Sequence, residues 1–296
     1  MHYDEKIYRP PTEAYTLLLQ VTSGCSHNKC IFCNMYEGVK FKVSPIEEII
    51  QDLSEIKLKA PNTKRIYLLN GDPFSLSFEK LKEIAILIKE YLPLIEVITM
   101  YASINSVKNK SVEELRILRE LGINELYFGI ETGFDEALEN INKGNSSFDA
   151  IEQLLKLNNA KMDFYSIIMY GVAGENLGVT NAICTANLLN KVKTLGIGLM
   201  NLSVMEGTKL YDRVQEGSFI EASDLEKVKE IRAFIQELEV KSETFLTCIH
   251  ISNLLSLEGN LPYDKDKFLK QLDEAIKAII EGKKELNKRD FFGKNI

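Results

Sequence analysis

Short apolar stretches alternate with amphipathic ones over the first two hundred residues of the chain. Between the apolar stretches, hydrophobic residues recur every three or four positions, which is typical of helices with one buried face. This alternation predicts right-handed strand–helix–strand crossovers and a parallel sheet, hence an α/β fold. The stretches that predict buried strands are 14–21, 65–69, 97–104, 125–130, 164–170 and 198–204.

Six strand–helix units are fewer than the eight that close an α/β barrel. The pattern therefore predicts a partial (β/α)6 barrel over residues 14–208, preceded by an N-terminal arm over 1–13. Residues 209–296 predict a mostly helical C-terminal extension that packs on the barrel. Within it, helices are expected over 224–240 and 264–285, and residues 254–262 are expected to form a loop.

Composition and charge narrow the function classes. The chain has 45% hydrophobic and 27% charged residues, an ordinary globular balance, and a net charge of −7, which disfavours a nucleic-acid partner. No stretch approaches the roughly 20 apolar residues of a membrane span, and the first residues lack the apolar core of a signal peptide. The five cysteines do not resemble a disulfide framework, so we expect a cytoplasmic location with reduced thiols.

Three of the cysteines, Cys25, Cys30 and Cys33, follow the first predicted strand with the spacing C-x4-C-x2-C. Thiolates are strong ligands for soft metals and iron–sulfur clusters. Three ligands leave one iron of a four-iron cluster with an open coordination position, which favours catalysis over electron storage.

Two other metal sites fit the same cysteines. A structural zinc site would need a fourth ligand, and His27 lies within the loop. A two-iron ferredoxin cluster would need a fourth cysteine, either Cys184 or Cys248. The alternative to an enzyme is thus a non-catalytic iron–sulfur electron-transfer or zinc-binding protein.

Further polar or glycine-rich turns follow three of the predicted strands. The carboxyl ends of parallel strands share one edge of the sheet, where the chemistry of such folds takes place. Each turn alone could simply end its strand, and Glu131 alone would suit a structural salt bridge. Their occurrence in order, together with the cysteines, favours a common site. The turns are Asn70-Gly71-Asp72-Pro73, Glu131-Thr132-Gly133 and Gly171-Val172-Ala173-Gly174-Glu175.

In this order, the cysteine loop and the turns resemble the radical S-adenosylmethionine (radical SAM) superfamily over residues 14–208. The usual spacing in that family is C-x3-C-x2-C, so the first interval here is one residue longer. Residues 129–144 and 205–211 resemble the branch that includes oxygen-independent coproporphyrinogen dehydrogenases.

The resemblance implies a chemistry and a set of contacts. Cys25, Cys30 and Cys33 would hold a [4Fe-4S] cluster whose fourth iron chelates S-adenosylmethionine. An electron from a partner such as flavodoxin or ferredoxin would allow cleavage to a 5′-deoxyadenosyl radical, which abstracts hydrogen from a small-molecule or peptide substrate. The residues expected to contact the cofactor are Phe32, Asn70, Gly71, Asp72, Ser103, Glu131, Gly171 and Gly174.

Cys248 and His250 are candidate catalytic residues outside the predicted barrel. A thiol can donate a hydrogen atom to a substrate radical, and a histidine can act as a general acid or base. The alternatives are that Cys248 is a small buried core residue and that His250 is a hydrogen-bonded structural residue.

Overall fold

The computed structural model of the chain describes residues 1–3 and 6–282. It divides into two compact units, each assembled from separate stretches of the chain. The first unit comprises Met1–Asn28, Met35–Gly129 and Glu152–Tyr165. The second comprises Lys29–Asn34, Ile130–Ile151 and Ser166–Ile296. The predicted division of the chain after residues 13 and 208 stays a prediction.

Strands and helices alternate along the described residues as the hydrophobic pattern predicts. The strands are β1 (Leu17–Leu19), β2 (Thr22–Ser23), β3 (Lys42–Val43), β4 (Arg65–Leu68), β5 (Val97–Ala102), β6 (Leu126–Glu131), β7 (Phe164–Tyr170), β8 (Gly196–Asn201), β9 (Thr244–Thr247) and β10 (Glu258–Leu261). The helices are α1 (Ile46–Lys59), α2 (Phe78–Tyr91), α3 (Ile104–Lys108), α4 (Val112–Glu120), α5 (Asp135–Asn140), α6 (Ser147–Asn159), α7 (Gly178–Leu189), α8 (Lys209–Gln215), α9 (Asp224–Glu237) and α10 (Lys265–Ile280).

The strands of the first unit are hydrogen-bonded in the order β1-β4-β5-β6. Each pair is parallel, with Leu17 opposite Ile66 in the first pair and Arg65 opposite Val97 in the second. Most of their apolar side chains are buried, as expected for parallel strands covered on both faces, although Leu17, Leu18 and Val97 are only partly so. The predicted parallel α/β fold is therefore confirmed. β2 and β3 form a separate antiparallel pair beside the cysteine loop.

The strands of the second unit follow the order β7-β8-β9-β10. β9 pairs parallel to β8, and β10 pairs antiparallel to β9, with Glu258 opposite Thr247. The expected loop over 254–262 is therefore wrong, because residues 258–261 form β10. Between residues 209 and 282, the other elements are the helices α8, α9 and α10, so this segment is mostly helical. The predicted end of its last helix, near residue 285, lies outside the described residues.

Two further observations bear on the fold. α4 begins with a capping box, in which the Glu114 N–H donates to the Ser111 hydroxyl at 3.2 Å and the Ser111 N–H donates to the Glu114 carboxylate at 2.7 Å. Among the described residues, no helix has the length and apolar character needed to cross a membrane.

Candidate active site

Asn70 and Gly71 fix the segment of the first unit that carries Cys25. Asn70 has a φ of 84°, and its side-chain amide donates to the Thr22 carbonyl at 2.6 Å. The Gly71 N–H donates to the Gly24 carbonyl at 3.0 Å. A Cβ at Gly71 would lie 2.7 Å from the Cβ of Cys25, so only glycine fits without displacing the cysteine. The turn after β4 therefore sets the position of the first cysteine.

Asp72 extends this support to the residue that follows Cys25. Its carboxylate is buried and accepts hydrogen bonds from the hydroxyls of Ser26 at 2.6 Å and Ser103 at 2.7 Å. The Ser103 N–H adds a third hydrogen bond at 3.1 Å. Burial raises the pKa of Asp72 above its ordinary value, and the three hydrogen bonds and the nearby Lys110 oppose that shift.

Lys110 supplies a buried positive charge near Asp72. Its Nζ donates to the carbonyls of Phe74 and Ser106, each at 2.9 Å, and lies 4.7 Å from the centre of the Phe74 ring. Burial lowers the pKa of Lys110 to about 8, while the charge of Asp72 acts in the opposite direction.

A cavity of about 470 Å³ lies beside these groups in the first unit. Its walls carry hydroxyl, amide, carboxylate and ammonium groups, which suit a charged polar ligand. Two of the predicted cofactor contacts, Asp72 and Ser103, line it, and Ser26 next to Cys25 does so as well.

The other two cysteines belong to a segment held within the second unit. The Cys33 N–H donates to the Cys30 carbonyl at 3.2 Å, which closes a turn between them. The intervening Ile31 donates its N–H to the Ile141 carbonyl and accepts the N–H of Leu210, each at 3.0 Å. The backbone of this segment is thus anchored on both edges.

Phe32 also belongs to this segment, and its ring is partly buried. It packs against a cluster that includes Ala137 and Val172, and against a second cluster that includes Leu210 and Phe219. Val172 lies in the glycine-rich turn after β7, so the structure brings Phe32 together with that turn.

Glu131 ends β6 in a left-handed backbone conformation, with a φ of 64°. Its carboxylate pairs with Lys143, with Nζ and Oε1 2.7 Å apart, and both side chains are largely buried. A residue other than glycine or asparagine in this conformation stores strain, a feature concentrated at functional sites. The structural salt bridge considered for Glu131 is therefore present.

The turn after β7 packs against residues 219–230. The Gly171 N–H donates to the carboxylate of Glu230 at 2.9 Å, and the Glu175 N–H donates to the Ile220 carbonyl at 2.9 Å. Gly174 has a φ of +84°, and a Cβ there would lie 2.9 Å from the Ile220 oxygen. Both predicted glycines are thus in tight contact with a segment that sequence reasoning did not connect to the site.

Cys248 is fully buried in the second unit, and its N–H donates to the Leu257 carbonyl at 2.8 Å. Burial raises the pKa of Cys248 to about 12, and a hydrogen bond with the Tyr170 hydroxyl opposes this shift. Tyr170 immediately precedes Gly171, so the thiol lies near the end of β7. Because this thiol is already hydrogen-bonded to Tyr170, its surroundings give no support to Cys248 as the fourth ligand of a two-iron cluster.

His250 lies on the loop after β9 and is half-buried. Its Nδ1 is 2.8 Å from the Ser252 hydroxyl and accepts the Ser252 N–H at 3.2 Å, so the proton of the neutral ring is on Nε2. Burial lowers the pKa of His250, which favours this neutral form. The residue is hydrogen-bonded locally, as the structural alternative expected.

The donor set of the cysteine loop fits an iron–sulfur cluster. None of the three cysteines forms a disulfide and all are partly exposed, so each can ligate a cluster as a thiolate. Within the part of the chain that the structure describes, no three His, Cys, Asp or Glu side chains are already arranged to hold a single metal ion. The fit therefore rests on the chemistry of the three thiols and on the anchoring of their backbone.

Comparison with known proteins agrees with these features. The family model described as the Radical SAM superfamily matches residues 19–184, more than half of the chain. The chain is 27% identical to the heme chaperone HemW of Bacillus subtilis over 201 residues, which cover 65% of this chain and 52% of that protein. It thus spans about half the length of this curated relative.

Solved structures share the fold. Coproporphyrinogen III oxidase (HemN) from Escherichia coli, described as a radical SAM enzyme, matches with a TM-score of 0.53 at 15% identity, over 75% of this chain and 50% of its own. Methylornithine synthase (PylB) matches with a TM-score of 0.53 at 19% identity, over 93% of this chain and 84% of its own. The chain therefore belongs to the Radical SAM superfamily, a family of enzymes that use a [4Fe-4S] cluster and S-adenosylmethionine.

Proposed function

We propose that this enzyme abstracts hydrogen from a small-molecule or peptide substrate after reductive cleavage of S-adenosylmethionine. The observation that carries the proposal is the cysteine loop, whose three cysteines form no disulfide and are partly exposed. The turn after β4 supports Cys25, and backbone hydrogen bonds of Ile31 hold the segment with Cys30 and Cys33. Because three cysteines leave one iron of a four-iron cluster with an open position, we favour a catalytic cluster over the non-catalytic alternatives.

In this proposal, Cys25, Cys30 and Cys33 each bind one iron of the cluster. When bound, the reduced cluster would supply the one electron that cleaves S-adenosylmethionine to methionine and a 5′-deoxyadenosyl radical. The protein's part is to hold both groups and to keep water away from the radical. Flavodoxin or ferredoxin remains the expected electron donor, and the cytoplasmic location stays a prediction.

The methionine end of S-adenosylmethionine is assigned to the cavity beside Asp72 and Ser103. A carboxylate has about four acceptor positions, and three hydrogen bonds to Asp72 come from Ser26 and Ser103. One position is therefore left for the amino group of the ligand. Asn70 and Gly71 support Cys25 in this assignment, in addition to their predicted contact with the ligand.

The adenosine end is assigned to the second unit. The ring of Phe32 packs beside Val172 and provides an apolar surface for adenine. Gly171 and Gly174 let this turn pack tightly against Lys227 and Ile220, because a Cβ would lie 2.8 Å from Lys227 Cε and 2.9 Å from the Ile220 oxygen, and the proposal keeps both glycines as backbone contacts to the ligand. The strained backbone of Glu131 and its pairing with Lys143 fix a carboxylate that can accept hydrogen bonds from the ribose.

Cys248 and His250 keep proposed roles in the substrate step. With a pKa of about 12, the thiol of Cys248 stays protonated at neutral pH, as a hydrogen-atom donor requires. If a hydrogen atom is removed from the substrate and the Cys248 thiol then donates one to the substrate radical, a sulfur radical remains on Cys248. One electron from the electron donor and one proton would restore the thiol. In its neutral form, His250 presents Nε2–H as a hydrogen-bond donor to a substrate.

Heme is a second candidate ligand, because the relative from Bacillus subtilis is named a heme chaperone. The chain covers 52% of that protein, so the idea needs its own test. Titration of the reconstituted protein with hemin, followed by absorbance, would support it by saturable binding at stoichiometric concentration. Absorbance that changes in proportion to added hemin without saturating, as in non-specific adsorption, would contradict it.

The central experiment is anaerobic reconstitution with iron and sulfide, reduction, addition of S-adenosylmethionine and quantification of 5′-deoxyadenosine. Cys30→Ala removes a predicted ligand, and Cys184→Ala is the matched control because Cys184 lies on α7. We expect product from the wild type and from Cys184→Ala, and none from Cys30→Ala. Zinc without a cluster, or a complete cluster that yields no product, would overturn the proposal.

A further inference from the structure

Glu230, on α9, is a buried carboxylate that the proposed function does not use. Glu230 is 2% exposed to solvent. One carboxylate oxygen accepts the Gly171 N–H at 2.9 Å, and the other accepts the side-chain amide of Asn181 at 2.7 Å. Gly178 makes room for it, since a Cβ there would lie 2.9 Å from a Glu230 oxygen. The carboxylate is therefore held by donors from the end of β7 and from α7.

Asn181 continues the connection to the end of β6. Its side-chain oxygen accepts the hydroxyl of Thr132, the residue that follows Glu131. The Thr185 hydroxyl lies 3.1 Å from the Thr132 hydroxyl and accepts the Gly133 N–H at 2.9 Å. Glu230 thus connects the turn that carries Gly171 to the turn that carries Glu131, through two hydrogen bonds of Asn181.

Both donors facing Glu230 favour its ionised form. An ionised carboxylate accepts at both oxygens, whereas a protonated one must direct an O–H toward either an N–H or an amide NH2. Other charged or titratable groups face it from its own helix and from β7, namely Lys227 and Tyr170. From α7 the facing group is the neutral amide of Asn181. Burial raises the pKa of Glu230 to about 7, so its protonation state changes near neutrality.

We infer that Glu230 is a positioning residue for S-adenosylmethionine, whose ionised carboxylate holds the turns after β6 and β7 in their binding arrangement. This inference rests on the proposed function, in which Glu131 and Gly171 contact the ligand. Loss of the negative charge would release the Gly171 N–H or the Asn181 amide and loosen both turns. Ligand affinity should therefore rise with pH as Glu230 ionises.

The test compares Glu230→Gln with Glu237→Gln in the cluster-loaded protein. Glu237 is exposed on the same helix, so its replacement is the same chemical change without the buried contacts. Binding of S-adenosylhomocysteine, which the cluster cannot cleave, is measured by calorimetry from pH 6 to pH 8. We expect affinity to rise with pH in the wild type and Glu237→Gln. In Glu230→Gln it should be independent of pH and about tenfold weaker at pH 8, the loss of one hydrogen bond to a charged group.

Amide hydrogen exchange provides a second readout that does not depend on ligand or activity. Glu230→Gln should speed exchange at residues 131–134 and 171–176 together, and Asn181→Leu should speed both while leaving Glu230 in place. A wild-type pH dependence in Glu230→Gln, or faster exchange at only one of the turns, would overturn the inference. If the wild type binds no S-adenosylhomocysteine and makes no 5′-deoxyadenosine, the proposed function fails, and the exchange data still decide whether Glu230 couples the turns.

Discussion

Lys143 and Glu131 form a largely buried ion pair in the second unit, with Nζ and Oε1 2.7 Å apart. Their side chains are 13% and 9% exposed, respectively. Breaking such a pair leaves one charge away from water without its partner, which is more costly than removing both. The pair therefore holds the Glu131 carboxylate in a single position at the end of β6.

Replacing Lys143 with Met should lower the free energy of unfolding by about 3 kcal/mol, because Glu131 would lose its buried counter-charge. Urea denaturation followed by circular dichroism measures the change. Lys229→Met, at an exposed position of α9, is the control. The double variant Glu131→Gln with Lys143→Met should recover part of the loss, and a double variant that is less stable than Lys143→Met would contradict this account.

Gly71→Ala should disturb the position of Cys25 and lower the iron content of the reconstituted protein. The new Cβ would lie 2.7 Å from the Cβ of Cys25 and 2.8 Å from Cε2 of Tyr36, so both must move. Such overpacking costs about 2 kcal/mol. Iron per chain is the readout, and Gly198→Ala is the control because nothing lies within 4 Å of its added Cβ. Equal iron in both variants would show that Gly71 does not support the loop.

Lys110 should make stability depend on pH in the alkaline range. Its pKa is lowered from 10.5 in the unfolded chain to about 8 in the fold. Below pH 8 the amine is charged in both states, and the fold carries the full cost of burying it. Between about 8 and 10.5 the folded state loses its proton first, so the free energy of unfolding rises with pH.

Lys110→Met should abolish that rise, whatever its effect on overall stability. Urea midpoints measured at three alkaline pH values give the slope, and Lys82→Met on α2 serves as the exposed control. If the urea midpoint changes with pH equally in the wild type and in Lys110→Met, Lys110 stays protonated in the fold and the prediction is wrong.

Cys248 should resist alkylation in the folded, cluster-free protein. Its thiol is buried and its pKa is raised to about 12, so the reactive thiolate is scarce at pH 8. We expect labelling by iodoacetamide on the order of a thousandfold slower than at a cysteine of ordinary pKa. Peptide mass spectrometry should find Cys25, Cys30 and Cys33 labelled first, since they are partly exposed. Early labelling of Cys248 would show that its site opens.

Sequence pattern predicts the elements whose own residues determine them. α2 spans Phe78–Tyr91 as its hydrophobic period indicates, and Ser111 begins α4 through a local capping box. β10 was missed because its four residues include Gly259 and Asn260, which form strands poorly on their own. That strand exists because β9 offers it a hydrogen-bonding edge, and this is a tertiary property.

The residues of the candidate site also divide into those that a local sequence pattern reveals and those that only tertiary packing reveals. The cysteines and the strand-end turns are visible because their chemistry is concentrated in short motifs. Glu230 is not, because it lies in an ordinary charged helix next to Lys229 and only packing shows that its carboxylate is buried. The Ser26 hydroxyl donates a hydrogen bond to Asp72 although the two residues are 46 positions apart in the chain, and no local pattern indicates this contact.

The family match ends at residue 184, inside α7 and three residues beyond Asn181. Its hydrogen-bonding partner Glu230 lies far outside the match, on α9. The part of the chain that the family model matches is therefore shorter than the part that these hydrogen bonds join. A chimera joined at the end of the family match would leave Gly171 and Asn181 without their acceptor if the replacement C-terminal half carries no carboxylate at the position of Glu230. A piece exchanged from this chain should therefore extend through the end of α9, so that Glu230 stays with its two donors.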